Sequence, residues 1–299
     1  MEPRESMEKT NVPIIGIIGG TGLADVLTDG RREAIDTPFG PTSAPVVRGQ
    51  WHGVDIAFIS RHGEGHVHPP SAVPYRANIF ALRTLGVTHI LASGATGSLR
   101  EEYRPGELVI ADQVIDKTFR RASSFFDDRL AVHVEFARPF CPTLRTALLA
   151  AARQTRITVH DGGTYVCMEG PQFSTVAEAD MHRAWGGDLI GMTCMPEAKL
   201  AREAEICYAL LALPTDYDCW RPHDPETKQE NLLAEIMGNL KSASQAAVAV
   251  MEAAVKQRAG TETDDCPCRH ALELAIWSDK SRVDRDLVTR LGPLLSKYF

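Results

Sequence analysis

The sequence predicts an α/β protein, one domain with a central mixed, twisted sheet flanked by helices and a helical appendage at the C-terminus. Three observations carry this. Short, nearly continuous apolar runs, such as residues 14–18 and 210–213, read as strands buried on both faces. They alternate with segments of helical periodicity. The chain has 299 residues, 44% hydrophobic and 24% charged, which suits one large globular domain.

The elements follow in order. Residues 1–12 carry charges of both signs and no apolar stretch, so they read as a flexible tail and not as a secretory signal. The main domain spans 13–258. Its first strand, Ile14-Ile15-Gly16-Ile17-Ile18, opens into the turn Gly19-Gly20-Thr21-Gly22. A strand at Val54–Ser60 leads into Arg61-His62. After Pro70 and Pro74, residues 75–85 place Ile79, Leu82 and Leu85 at helical spacing, and Gly86 stops the helix. Residues 87–93 form a strand followed by a small-residue turn, Gly94-Ala95-Thr96-Gly97. Helices are expected at 143–154, 174–185 and 196–206, and strands at 163–169, 188–193 and 207–215. Helical periodicity returns over 226–258, and 259–299 read as the appendage, packed on the same domain.

Charge and composition exclude several partners. Thirty-two basic against 39 acidic residues give −7 with no basic block, which argues against nucleic acid and membrane surfaces. No run approaches the roughly 18 apolar residues of a membrane span. Five of the seven cysteines lie in or beside apolar segments and read as buried thiols of a cytoplasmic protein.

In such folds ligands gather beyond the C-terminal ends of the strands, and four strand ends carry ligand-type chemistry. Gly19-Gly20-Thr21-Gly22 could present converging N–H groups and a hydroxyl to an anion, or serve as a tight turn. It matches neither a dinucleotide fingerprint nor a P-loop. In Arg61-His62-Gly63-Glu64-Gly65-His66-Val67-His68, the guanidinium fork and the imidazole donor suit an oxyanion. A metal held by His62, His66 and His68 lacks a completing shell. Glu169-Gly170-Pro171-Gln172-Phe173-Ser174-Thr175 joins a strand to a helix that Ser174 or Thr175 can cap, and Phe173 could pack on a planar ring. Met192 offers a soft wall and Thr193 a hydroxyl at the end of the next strand. In Thr215-Asp216-Tyr217-Asp218, extended residues two apart share a face, so both carboxylates aim at one spot, apt for acid–base work, a divalent metal or a surface turn.

These stretches, together with Asp36-Thr37-Pro38-Phe39-Gly40, Pro139-Phe140-Cys141-Pro142 and Thr215-Asp216-Tyr217-Asp218-Cys219-Trp220, resemble the trimeric purine nucleoside phosphorylase superfamily over residues 12–240. Within it the resemblance is closest to the 5′-methylthioadenosine phosphorylases. It implies a pentosyltransferase: phosphate attacks the anomeric carbon of 5′-methylthioadenosine and adenine departs, in purine and methionine salvage. It implies phosphate contacts from Thr21, Arg61, His62, Gly94, Ala95 and Thr193, a ribose contact from Met192 and base contacts from Phe173, Asp216, Tyr217 and Asp218. Ser174 and Gln229 would set substrate choice, and His133 would reach a neighbouring subunit's site in a homotrimer. Asp216 would protonate N7 of the purine and Asp218 would receive the 6-amino group, which favours adenine over 6-oxopurines.

No P–O bond breaks in this reaction, so neither metal nor cofactor is expected, and inorganic phosphate is a co-substrate. Gly94 replaces a hydroxyl residue of human-like members. Gln229 stands where close relatives place apolar residues along the 5′-methylthio pocket, which would admit adenosine as a second substrate. Cys266-Pro267-Cys268 matches a C-x-C used as a disulfide element in thermophilic archaeal relatives; free thiols or half of a metal site are the other readings. A phosphorylase for 6-oxopurine (methylthio)nucleosides is the second enzymatic reading. A hydrolase, a NAD(P)-dependent oxidoreductase and a purine-binding protein without turnover stand further off.

Overall fold

The computed structural model describes residues 13–19, 27, 29–126, 129–221, 228–258 and 266–299. The expected tail, the turn bearing Thr21, the start of the 226–258 helix and the segment before Cys266 lie outside the described residues.

Among the described residues, eleven strands form one mixed sheet. Its centre is parallel. Strand β1 (Ile14–Gly19) lies between β4 (Val54–Ser60) and β5 (Val87–Ser98), and β11 (Cys207–Asp216) pairs with the other side of β5. On one side β2 (Arg31–Glu33) and β3 (Val46–Trp51) extend the sheet antiparallel from β4. On the other, β10 (Leu189–Gly191) runs antiparallel to the far end of β5, followed by β9 (Thr164–Met168) and β7 (Gln113–Lys117). Strands β6 (Leu108–Ile110) and β8 (Val159–Asp161) continue from β11.

Alternation along β11 shows why the central runs are apolar on every residue. Tyr208, Leu210 and Ala212 enter one core, and Cys207, Ala209, Leu211 and Leu213 enter the other. The first core lies under α1 (Tyr75–Thr84) and α4 (Cys194–Glu203), the second under α2 (Pro142–Ala152) and α5 (Gln229–Arg258). Helix α3 (Val176–Ala184) starts at a capping box in which Thr175 and Glu178 bond each other's backbone N–H, so of the two cap candidates it is Thr175 that caps. The C-terminal segment carries α6 (Arg285–Arg290) and α7 (Gly292–Leu295) after two short 3₁₀ turns, and Leu272, Leu287, Leu291 and Leu295 bury into the first core.

One local expectation is corrected. Gly94-Ala95-Thr96-Gly97 is not a turn but the continuation of β5. Small residues are needed there for close approach: a Cβ on Gly97 would stand 3.1 Å from Ile190 and 3.2 Å from the Asp216 carboxylate. Composition alone does not separate a turn from a strand crossed closely by its neighbours.

Candidate active site

A cavity of about 330 Å³ opens where β4, β5 and β11 end, bordered by the turns after β9 and β10 and by α5. Its size suits a small organic ligand. One end is rich in donors and hydroxyls, the other carries a carboxyl pair.

At the donor end stand Arg61 and His62, the two residues after β4. Arg61 is only 1% exposed. Its Nε and one terminal nitrogen grip both oxygens of Glu197 on α4 at 2.7 and 2.8 Å, and the other terminal nitrogen donates to Ser93 O at 2.7 Å. Burial opposes the guanidinium charge, and Glu197 more than offsets it. Three of the five N–H groups are thus spent on the protein. Tyr208 adds a hydrogen bond to Glu197 at 2.8 Å, so the carboxylate is itself held.

His62 departs from its expected role as a donor. Its Nδ1 lies 2.8 Å from His68 O, a carbonyl that can only accept, so Nδ1 carries the proton. Burial, and then Arg61 beside it, bring the imidazole down to about 4. The ring is neutral near pH 7, and its Nε2 is an acceptor on a residue that lines the cavity. His66 stacks on it with ring centres 4.1 Å apart.

Buried polar atoms nearly always find partners. Among the described residues, five buried side-chain polar atoms have none, and three of them (Ser93 Oγ, Thr96 Oγ1 and Asp218 Oδ2) belong to residues lining this cavity. Thr193 precedes α4 without capping it through its side chain, so its hydroxyl is left to the cavity.

At the opposite end Asp216 and Asp218 are linked. Asp218 N–H donates to Asp216 Oδ1 at 2.8 Å, and Thr215 Oγ1 donates to Asp216 Oδ2 at 2.7 Å. Burial pushes the Asp218 carboxyl up, and the charge of Asp216 adds to that.

The wall between the two ends is held from behind. Arg121 donates to the carbonyls of Met192 and Met195 at 2.5 and 2.6 Å, and to Glu169 O at 2.7 Å. Burial alone would raise the Glu169 carboxyl. Hydrogen bonds from Ser71, Phe119 N, Arg120 N and Arg121 outweigh it and hold that carboxyl at about 2. Gly170 then turns with φ +67°, and a Cβ there would strike Met192 Sδ at 2.5 Å.

The model of the Phosphorylase superfamily matches residues 14–256. The chain belongs to the phosphorylase superfamily. Within it, the chain is 48% identical over 290 residues to the S-methyl-5′-thioadenosine phosphorylase of Cereibacter sphaeroides, covering 95% of this chain and 98% of that one. It is 45% identical over 288 residues to that of Geobacter sulfurreducens, covering 95% and 99%. A crystal structure of methylthioadenosine phosphorylase from an antarctic soil metagenomic library superposes with TM-score 0.87 at 44% identity, over 95% and 99% of the two chains. The Schistosoma mansoni methylthioadenosine phosphorylase in complex with tubercidin superposes with TM-score 0.78 at 34% identity, over 87% and 96%.

In this phosphorylase, Arg61, His62, Gly94, Ala95, Met192 and Thr193 line the cavity, as do Phe173, Ser174, Asp216 and Asp218. Phe173 stands at the rim, 84% exposed. Thr21 lies outside the described residues. Tyr217, between the two aspartates, points away, its ring edge-on to Trp220 and under Arg221. Gln229 is exposed at the first turn of α5, and that helix lines the cavity with Ile236 and Leu240, two turns and more further on. His133 is exposed and lies against Trp277, away from its own chain's cavity. Sequence reasoning missed Glu197, Arg121 and the orphaned hydroxyls of Ser93 and Thr96. A Glu and an Arg amid charged neighbours carry no mark of burial in the sequence. Ser93 and Thr96 flank the Gly94-Ala95 pair and were within reach of a reading that continued the strand. Among the described residues no helix is long and apolar enough to cross a membrane.

Proposed function

We propose that the chain cleaves the N-glycosidic bond of 5′-methylthioadenosine with inorganic phosphate, giving adenine and 5-methylthioribose 1-phosphate. The observation that carries this is a single cavity lined both by the Arg61 guanidinium and the Thr193 hydroxyl and by the half-buried carboxyl pair Asp216 and Asp218. The names of the relatives support the same reading.

Phosphate sits at the donor end, on the remaining Arg61 N–H groups, the hydroxyls of Ser93 and Thr193, the Gly94-Ala95 backbone and Thr21. Monohydrogen phosphate turns its O–H toward the acceptor Nε2 of His62. An anion fixed below the sugar stabilises the positive charge that develops at the anomeric carbon. The purine leaves as N7 takes a proton from the Asp216–Asp218 pair. One proton on the two carboxyls suffices, and it belongs to the pair. The remaining carboxylate oxygen accepts from the 6-amino group, which disfavours a 6-oxo base.

Met192 flanks the ribose, Phe173 faces the base and Ser174 meets its edge. The 5′-methylthio group rests on Ile236 and Leu240, an apolar wall that supports selection against a 5′-hydroxyl. Gln229 drops out of this pocket. We place the enzyme in the cytoplasm, in purine and methionine salvage, as a homotrimer without a cofactor. The exposed Phe173 rim and the exposed His133–Trp277 pair suit sites completed at subunit borders, with His133 reaching the neighbouring site.

Phosphorus NMR of the reaction mixture tests the chemistry. A new sugar 1-phosphate resonance growing with adenine is expected; adenine with unchanged inorganic phosphate would mean a hydrolase.

A further inference from the structure

The pair Cys266 and Cys268 does not stand alone. Cys141, the N-cap of α2, and Cys207, the first residue of β11, meet it, and the four Sγ atoms lie within 4.8 Å of one another. Cys141 Sγ and Cys266 Sγ are 3.5 Å apart. All four side chains are buried, and none lines the active-site cavity.

We propose that these four cysteines form a closed tetrathiolate site for Zn²⁺. A tetrahedral ZnS₄ centre with bonds of about 2.3 Å has sulfur–sulfur edges of about 3.8 Å. The wider separations in the cluster would close by about 1 Å at most, and the Cys141–Cys266 pair would open by about 0.3 Å. Four protein ligands leave no open position, so the metal is structural. Zinc is favoured because thiolates select soft and borderline cations and four of them impose tetrahedral geometry.

Binding breaks four S–H bonds, forms four Zn–S bonds and releases four protons to solvent, leaving a centre of net charge −2. The surroundings offset that charge. The N-terminus of α2 points at Cys141, with Leu144 N–H 3.4 Å from its sulfur. The Thr143 hydroxyl lies 3.8 Å from Cys266 Sγ and can turn to donate. The metal would tie the segment that begins at Cys266 to a helix start and a central strand, so part of the folding free energy would be metal-binding free energy. No metal is expected from the sequence because Cys266-x-Cys268 is only half a site, and its partners come from distant parts of the chain.

The full-length wild-type protein, reduced and freed of metal, is titrated with Co²⁺ and followed by absorption. Thiolate-to-cobalt charge-transfer bands and the visible bands of tetrahedral Co²⁺, saturating at one ion per chain and displaced by one equivalent of Zn²⁺, are expected. Their absence overturns the proposal. So does a purified protein that carries no zinc and whose intact mass, short of two hydrogens per bond, shows these cysteines paired as disulfides. Replacing Cys266 and Cys268 together by Ser should abolish the bands while leaving adenine release intact; bands that persist place the metal elsewhere and also overturn it. If that variant does not fold, the wild-type titration decides alone.

Discussion

Arg61 and Glu197 form a two-point ion pair beneath the cavity, at 2.7 and 2.8 Å, with both side chains almost wholly buried. The pair fixes where the guanidinium stands and leaves part of its fork to meet a ligand. Isolated, either charge would be costly at this depth.

Glu197→Gln keeps the shape and removes the charge. Breaking one side of a buried pair costs roughly 3–5 kcal/mol, so the urea-derived unfolding free energy should fall by about that much. A fall under about 1 kcal/mol, the range of exposed pairs, would mean that the pair is not buried in solution. Arg61→Ala should in addition raise the KM for phosphate far more than the KM for methylthioadenosine. Equal rises would remove Arg61 from the phosphate end.

Asp216→Asn should lower methylthioadenosine turnover by about 10²–10⁴-fold, the usual worth of a positioned proton donor, and gain some activity with methylthioinosine, whose 6-oxo group can accept from the new amide. Asp218→Asn should lose turnover comparably, because the proton belongs to the pair. If one variant keeps the wild-type rate, the other residue acts alone.

The pH dependence separates two groups. His62 is held at about 4, below its ordinary 6.5, so the unfolded chain binds its proton first. Its contribution to stability is complete above pH 6.5 and is lost as the pH falls toward 4. Glu169, held at about 2 from an ordinary 4.5, contributes fully above 4.5 and loses that contribution as the pH falls toward 2. Denaturation midpoints should therefore decline in two stages on acidification, and His62→Gln should flatten the upper one. An unaltered upper stage in that variant would mean that His62 titrates normally.

Leu240→Ala should narrow the preference for methylthioadenosine over adenosine by about ten-fold in kcat/KM, the scale of a lost apolar contact. Gln229→Ala should leave the preference unchanged. The opposite pattern would return the 5′ pocket to the first turn of α5.

Much of this site could be read from the sequence because strands buried on both faces announce themselves. β1, β4 and β11 are apolar on most residues, and the chemistry stands where they end. The flanking strands β2 and β7 were not legible: Arg31-Arg32-Glu33 and Gln113–Lys117 interleave charge with few apolar residues. Gly97 misled because glycine signals both a turn and a close crossing. Tyr217 misled because neighbours along an extended chain face opposite ways. Gln229 misled because a helix presents a different face with every residue, and only the packing of α5 shows that Ile236 and Leu240 turn inward. Glu197 and the four-cysteine cluster depend on contacts between distant segments, which no local pattern encodes.

The most direct measurement is base release from 5′-methylthioadenosine and 5′-methylthioinosine, each with and without phosphate. Adenine appearing only with phosphate, and faster than hypoxanthine, is the expected result. Release without phosphate, or faster hypoxanthine release, would contradict it.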